Sequence, residues 1–148
     1  MTTSSRFVVA VHVLTALAVT GGRPLRSEDL ARSANTGAVV IRGLMTRLNE
    51  AGLTRSQLGA GGGALLARPA SDIRLLDVYR AVEAPELFAV HRMPPCEACP
   101  VGGNILSAIQ PVLGKAQAAL EASLGESTIA TMAEEVARLG GFSIPLGG

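Results

Sequence analysis

Tryptophan is absent from this chain, and one tyrosine and three phenylalanines are the only aromatic rings among its 148 residues. With so few rings the core must be built from Leu, Val, Ile and Ala, a vocabulary that favours helices. Lysine is missing from the first 80 residues. The positive charge there is all arginine: Arg6, Arg23, Arg26, Arg32, Arg42, Arg47, Arg55, Arg68, Arg74 and Arg80, against Glu28, Asp29, Glu50, Asp72 and Asp77. Beyond that point Glu83, Glu86, Glu97, Glu121, Glu126, Glu134 and Glu135 outnumber Arg92, Lys115 and Arg138, so a net charge of +1 conceals a basic half and an acidic half. A basic half built from arginine suits a phosphate-rich partner, because the planar guanidinium fork matches phosphate geometry better than an ammonium does.

No apolar run is long enough to cross a bilayer, so no membrane partner is expected. The segment RFVVAVHVLTALAVTGG has the length of a secretory h-region, yet His12 interrupts it, one basic residue precedes it, and no small-residue cleavage pattern follows. It reads as a helix, and a cytoplasmic protein with reduced thiols is expected. The length suits one domain with a real core plus an extension.

Along the chain, Phe7, Ala10, Val11, Leu14, Leu17 and Ala18 recur at helical spacing until Gly21-Gly22 ends the run. Val8, Val9, Ala16 and Val19 make the other side apolar too, which calls for a neighbour beyond the helix's own domain, such as a second subunit. Ser27 reads as the N-cap of a second helix over Glu28 to Ser33, with Glu28 and Asp29 in its first turn. After the turn ANTG, a third helix AVVIRGLMTRLNEAG turns Ile41, Leu44, Met45 and Leu48 inward and Val39, Arg42, Gly43, Thr46 and Arg47 outward. Two helices joined by a short glycine turn, the second carrying arginines on its free face, form the helix-turn-helix pattern.

Two short runs, Leu53 to Gln57 and Ala64 to Arg68, flank a loop with four glycines and end at Pro69, which predicts a β-hairpin. A hairpin directly after a recognition helix is a wing, and Arg55 and Arg68 on it are placed to reach a phosphate backbone. LLDVYRAVEA predicts a fourth helix, with Leu75, Val78, Tyr79 and Val82 on one side and Pro85 ending it. A proline-rich linker follows, then a long helix from Val101 to Gly125 that Pro111 should kink. Its two apolar stripes, Ile105, Ile109, Val112 and Ala116 on one and Leu106, Leu113, Leu120 and Leu124 on the other, call for two partners: its own domain and another protomer. Ser127 reads as the cap of a last helix closed by Gly140-Gly141, with a loose tail FSIPLGG. The expected fold is mainly α with a small β-hairpin wing. A winged helix-turn-helix domain over 1–84 leads through a sensor-type loop over 85–100 into a dimerisation helix over 101–125 and a C-terminal helix and tail over 126–148.

Cys96 and Cys99, the only cysteines, stand in HRMPPCEACPVGG. Their spacing admits three roles: a thiol redox pair, half of a metal or iron-sulfur site, or a helix-start motif with no chemistry. A metal would need further ligands, and His91, Glu97 or His12 of another subunit are available. Cys99 stands just before the helix expected to open at Val101, whose N-terminus would favour its thiolate. His12 on an apolar helix face is more often a core or dimer-contact histidine than a ligand. The cofactor therefore stays open: none, a metal or an iron-sulfur cluster. GAGGGA approaches the dinucleotide-binding fingerprint, but a strand and Arg68-Pro69 follow it where a helix is required. No hydrolytic constellation is present, so no enzyme is expected.

The blocks SRFVVAVHVLTALA, SEDLARSANTGAVVIRGLMTRLNEAGL, GGGALLARP, IRLLDVYRAVE and CPVGGNI together resemble the Rrf2 family of bacterial transcription regulators, in its YwnA-like branch. That family includes iron-sulfur, nitric-oxide and cysteine regulators. The resemblance implies a homodimer that binds double-stranded DNA at a promoter operator and represses by occlusion, its long helix crossing the partner's and its wing entering the minor groove. Carried over by motif position, Ser27, Thr36, Val39, Val40, Arg42 and Arg47 would lie at or near DNA, with Gly61, Gly62 and Arg68 from the wing and Arg55 beside them. Ile105, Ile109, Val112, Leu113, Ala116 and Leu120 would form the dimer contact. Cluster-binding members use three cysteines in or near this loop plus a further ligand, whereas this chain has two. It also reads NTGA where the branch commonly has Asn-Thr-Asn-Pro, and Gly43 stands where a second basic residue is common. Both departures should lower affinity for DNA. They motivate an alternative: a thiol-redox or metal-dependent sensor acting through protein contacts, with DNA binding weak or lost.

Overall fold

The computed structural model describes residues 4–145. In chain order it contains α1 (Arg6–Val19), α2 (Ser27–Ala34), α3 (Ala38–Glu50), β1 (Thr54–Gln57), β2 (Gly63–Leu66), a 3-10 turn (Ala70–Asp72), α4 (Leu75–Val82), α5 (Ile105–Gly125) and α6 (Ile129–Gly140). The core is aliphatic, as the shortage of rings requires. Val13 and Leu14 of α1, Leu30 of α2, Ile41 and Leu48 of α3, Val78 and Val82 of α4 and Ile129 of α6 are all buried in one cluster, closed below by Leu53 and Ile73. The inward face expected of α3 is buried at all four positions.

The helix-turn-helix is closed by Asn35, which takes the left-handed conformation at φ 51° while its N–H caps the Ala31 and Arg32 carbonyls. Asparagine accepts that conformation more readily than most residues, so α2 ends and α3 restarts within three residues. The cap at the other end of α2 differs from expectation. Arg26 is the extended N-cap residue and Ser27 is already helical, with no side-chain cap. The cause is tertiary: Leu25 pairs with Ala64 through hydrogen bonds of 3.1 and 2.7 Å, which fixes where the extended segment stops.

The hairpin pairs Thr54 with Leu66 and Gln57 with Gly63 in antiparallel register. It is shorter than expected by a residue or two at its outer ends, although the Ala67 N–H still reaches the Leu53 carbonyl at 3.0 Å. In α4, Leu76 is buried with Val78 and Val82, while the expected Leu75 and Tyr79 are only half-buried. Tyr79 instead meets Phe7 edge to face at 5.7 Å.

The C-terminal half departs further. α5 opens at Ile105, not Val101, because Gly102-Gly103 disfavour a helix and residues 97–104 form turns instead. It then runs unbroken through Pro111. Thr128, not Ser127, caps α6, exchanging bonds of 3.1 and 3.0 Å with Thr131. Ser127 is engaged elsewhere, its carbonyl accepting the Leu75 N–H at 2.9 Å. α6 returns to the N-terminal unit and packs on α1 through Ile129, Ala133 and Ala137. The tail expected to be loose is docked as far as described: a Cβ on Gly21 would stand 3.0 Å from Pro145 Cβ. Residues 146–148 of that expected tail lie outside the described residues. Among the described residues no helix is long and apolar enough to cross a membrane.

Candidate nucleic-acid interface and thiol loop

Burial of Ile41, Leu44, Met45 and Leu48 turns Val39, Arg42, Gly43 and Thr46 of α3 to solvent. Val39 is 75% exposed on the N-terminal half of the helix. The Arg42 guanidinium lies 3.9 Å from Glu28 across the two helices, with its side chain 56% exposed. A pair so exposed is weak, so the guanidinium is held near the surface without being used up. Arg47 is placed differently: its Nη1 donates to the Val82 carbonyl at 3.0 Å and ties α3 to the C-terminal end of α4. Val40 is exposed on the same flank, while Ser27 and Thr36 are half-buried at the start of α2 and in the turn.

The wing turn is built on glycine. Gly61 has φ 76°, and a Cβ on Gly62 would stand 2.1 Å from the Gln57 carbonyl oxygen, so no larger residue fits there without moving backbone. Arg55 and Arg68 are exposed and line a cleft of about 470 Å³ with Leu17, Gly21, Leu66 and Pro145, at the base of the wing. Leu58, the first loop residue after the last pair, is 91% exposed. The sequence sign of Leu58 is a large apolar residue at the edge of a glycine loop.

Cys96 and Cys99 are both exposed free thiols, with their sulfurs 3.2 Å apart. The Cys99 thiol donates to Cys96 Sγ, and the Cys99 and Ala98 N–H groups point at the same sulfur; together they hold the Cys96 thiol below its ordinary pKa. Cys99 is pushed above the ordinary value, because ionising it would break its bond to Cys96. This reverses the expectation that Cys99 would be the more acidic thiol. α5 begins too far down the chain for its N-terminal field to reach Cys99.

The remaining metal candidates are not gathered around the thiols. His12 lies on α1 with Nε2 2.8 Å from Ser33 Oγ, and His91 lies beside Phe88 and Ile105 along α5. Among the described residues no three His, Cys, Asp or Glu side chains come together as a metal site. Two thiols with no third donor do not fit a tetrahedral metal or a cluster within one chain.

Of the positions expected in a dimer contact, Ile109 and Val112 are exposed, and Ile105, Leu113, Ala116 and Leu120 are half-buried. Part of that cover is the linker, which runs along α5 with the Leu87 N–H on Gln117 Oε1 at 3.1 Å.

Residues 3–135 match the family model Rrf2, described as iron-dependent transcriptional regulator. The chain is 39% identical over 127 residues to YwnA of Bacillus subtilis strain 168, named as an HTH-type transcriptional regulator, covering 85% of this chain and 92% of that one. Among solved structures, T. potens IscR superposes with a TM-score of 0.70 at 24% identity, over 92% of this chain and 88% of that one. CymR, the global cysteine regulator of B. subtilis, superposes with a TM-score of 0.69 at 20% identity, over 91% and 98%. At those identities the two structures are likenesses of fold.

Proposed function

The chain belongs to the Rrf2 family of transcriptional regulators, and from that premise we propose that it is a homodimeric repressor that occupies a promoter operator through α3 and the wing. Membership makes it a DNA-binding regulator and not an enzyme. The single observation that carries the finer reading is the outward face of α3, where Arg42 and the uncovered Val39 stand together on a helix whose other side is fully buried. In a major groove Arg42 would fork onto guanine O6 and N7 or hold a phosphate, and Val39 would meet a thymine methyl. Leu58, Gly61 and Gly62 would enter the minor groove at the wing tip, with Arg55 and Arg68 on the flanking phosphates. Ser27, Thr36, Val40 and Arg47 border this surface.

The second copy would seat on α5. No residue of that 21-residue helix is buried in the single chain, although Ile109 and Val112 are among its exposed side chains. A helix this apolar and this bare needs a partner, and two copies crossed on α5 would present two reading heads to successive half-sites. Such a protein would work in the cytoplasm, where the DNA is. The CxxC loop stands between α4 and α5, so redox or metal chemistry there would act on the join between head and dimer helix.

The test is binding to the DNA upstream of its own coding sequence. A salt-sensitive complex is expected, and Arg42→Ala should weaken it by about 1–3 kcal/mol. Affinity no greater than for unrelated DNA of the same length would reject the operator reading.

A further inference from the structure

The loop holding the two thiols is packed onto the turns that lead into α5. A Cβ on Gly102 would stand 2.2 Å from the Cys96 carbonyl oxygen, and one on Gly103 2.7 Å from that of Glu97 and 3.2 Å from that of Cys99. The Gly103 N–H donates to the Cys99 carbonyl at 2.9 Å, Asn104 Nδ2 to the Pro100 carbonyl at 2.7 Å, and the Ile105 N–H to the Val101 carbonyl at 2.8 Å. From Cys96 to Ile105 the backbone is therefore one connected unit, and it can pack this tightly only because two of its residues lack side chains. The thiols are already in contact at 3.2 Å, and a disulfide requires about 2.05 Å. Closing that gap takes a movement of about 1 Å, and the carbonyls that must follow it are those resting on Gly102 and Gly103.

We propose that Cys96 and Cys99 are a modification site for hydroperoxides, closing to a reversible intrachain disulfide that displaces the N-terminal end of α5. The Cys96 thiolate attacks one peroxide oxygen; the O–O bond breaks, an S–O bond forms, and the second oxygen leaves as water or an alcohol after taking a proton. Cys96 is then a sulfenic acid. The Cys99 sulfur attacks it, the S–S bond forms as the S–O bond breaks, and the departing hydroxide takes the Cys99 proton and leaves as water. Two electrons pass from the thiols to the peroxide, and a small dithiol returns them. Both thiols are open to a peroxide, and the 3.2 Å contact sets Cys99 to resolve at Cys96, whose thiolate the neighbouring hydrogen bonds favour. The consequence for DNA rests on the regulator reading above; the chemistry does not.

The reduced full chain is treated with hydrogen peroxide and followed by intact mass, by non-reducing electrophoresis and by hydrogen exchange. Expected are the loss of two hydrogens with no link between chains, altered exchange over residues 103–108, and a dimedone adduct on Cys96 in Cys99→Ser with only background labelling of Cys99 in Cys96→Ser. A link between chains, equal labelling of both cysteines, or unchanged exchange in the oxidised form would overturn the proposal. Upstream DNA is titrated with each form, and a difference of about fivefold or more is expected. If the reduced chain binds no operator, the regulator reading fails while the mass and exchange results still decide the thiol chemistry. If both forms bind alike, the coupling through α5 is overturned.

Discussion

At the scale of single residues, two glycines of the putting-together of head and wing behave oppositely. Gly62 has a backbone oxygen where a Cβ would go, whereas nothing lies within 4 Å of a Cβ on Gly43. Gly62→Ala should cost on the order of 2 kcal/mol by deforming the wing turn, and Gly43→Ala should stabilise α3 by about 1 kcal/mol, both read as shifts in urea midpoint. Gly43→Arg should tighten operator binding and steepen its salt dependence by about one charge. The sequence marks both positions as glycine, and it cannot say which glycine is required, since that depends on what faces each one in space. The thiols give a second prediction at this scale. Mass-resolved iodoacetamide labelling should place the inflection of Cys96 below the ordinary value of 9.0 and that of Cys99 above it. The lowering at Cys96 comes first from the Cys99 thiol, so Cys99→Ala should move the Cys96 inflection upward. An unmoved inflection would refute the assigned cause. The CxxC was legible at once, but not which thiol leads, because that is set by where the amides and the helix start fall.

At the scale of elements, caps were the least legible feature. Ser27 and Ser127 have the right chemistry to cap, yet Arg26 and Thr128 occupy the cap positions, because a strand bridge at Leu25 and the Leu75–Ser127 hydrogen bond decide where each helix begins. α4 is capped by a residue that sequence rules would not choose. Asp77 Oδ2 accepts the Arg74 N–H at 2.9 Å, and Asp77 Oδ1 takes the Arg74 guanidinium at 3.0 Å. Partial burial raises the Asp77 pKa, but the side-chain and backbone hydrogen bonds from Arg74 and the charges of Arg74 and Arg68 outweigh it, leaving the carboxyl below its ordinary value. A group lowered in the folded state stabilises fully above its unfolded value and loses that contribution as pH falls through the folded one. Asp77→Ala should therefore cost about 1 kcal/mol near neutral pH. The gap from the parent protein should close as the pH falls below 3.8, the ordinary value of the group. A gap independent of pH would mean the loss is one of packing.

At the scale of the whole molecule, α5 is a helix of 21 residues that gives no side chain to the core of its own chain. Val112→Glu, at a position 62% exposed, should leave the helical content and unfolding midpoint of the head nearly unchanged while sedimentation shifts from dimer to monomer. Operator affinity should fall with it, since one head has half the phosphate contacts. A variant that stays dimeric would place the interface elsewhere. The sequence by itself determined the helix-turn-helix, the wing and a long apolar helix after the linker, because helical periodicity, glycine turns and charge are local properties carried by neighbouring residues. It also separated an arginine-rich half from an acidic half. Only the tertiary structure decided that α6 returns to seal α1, that Arg47 ties α3 to α4, that Leu58 stands uncovered beside the wing turn, and that the two thiols lie in contact at 3.2 Å. Each of these joins residues whose distance along the chain, or whose backbone direction, no local pattern encodes.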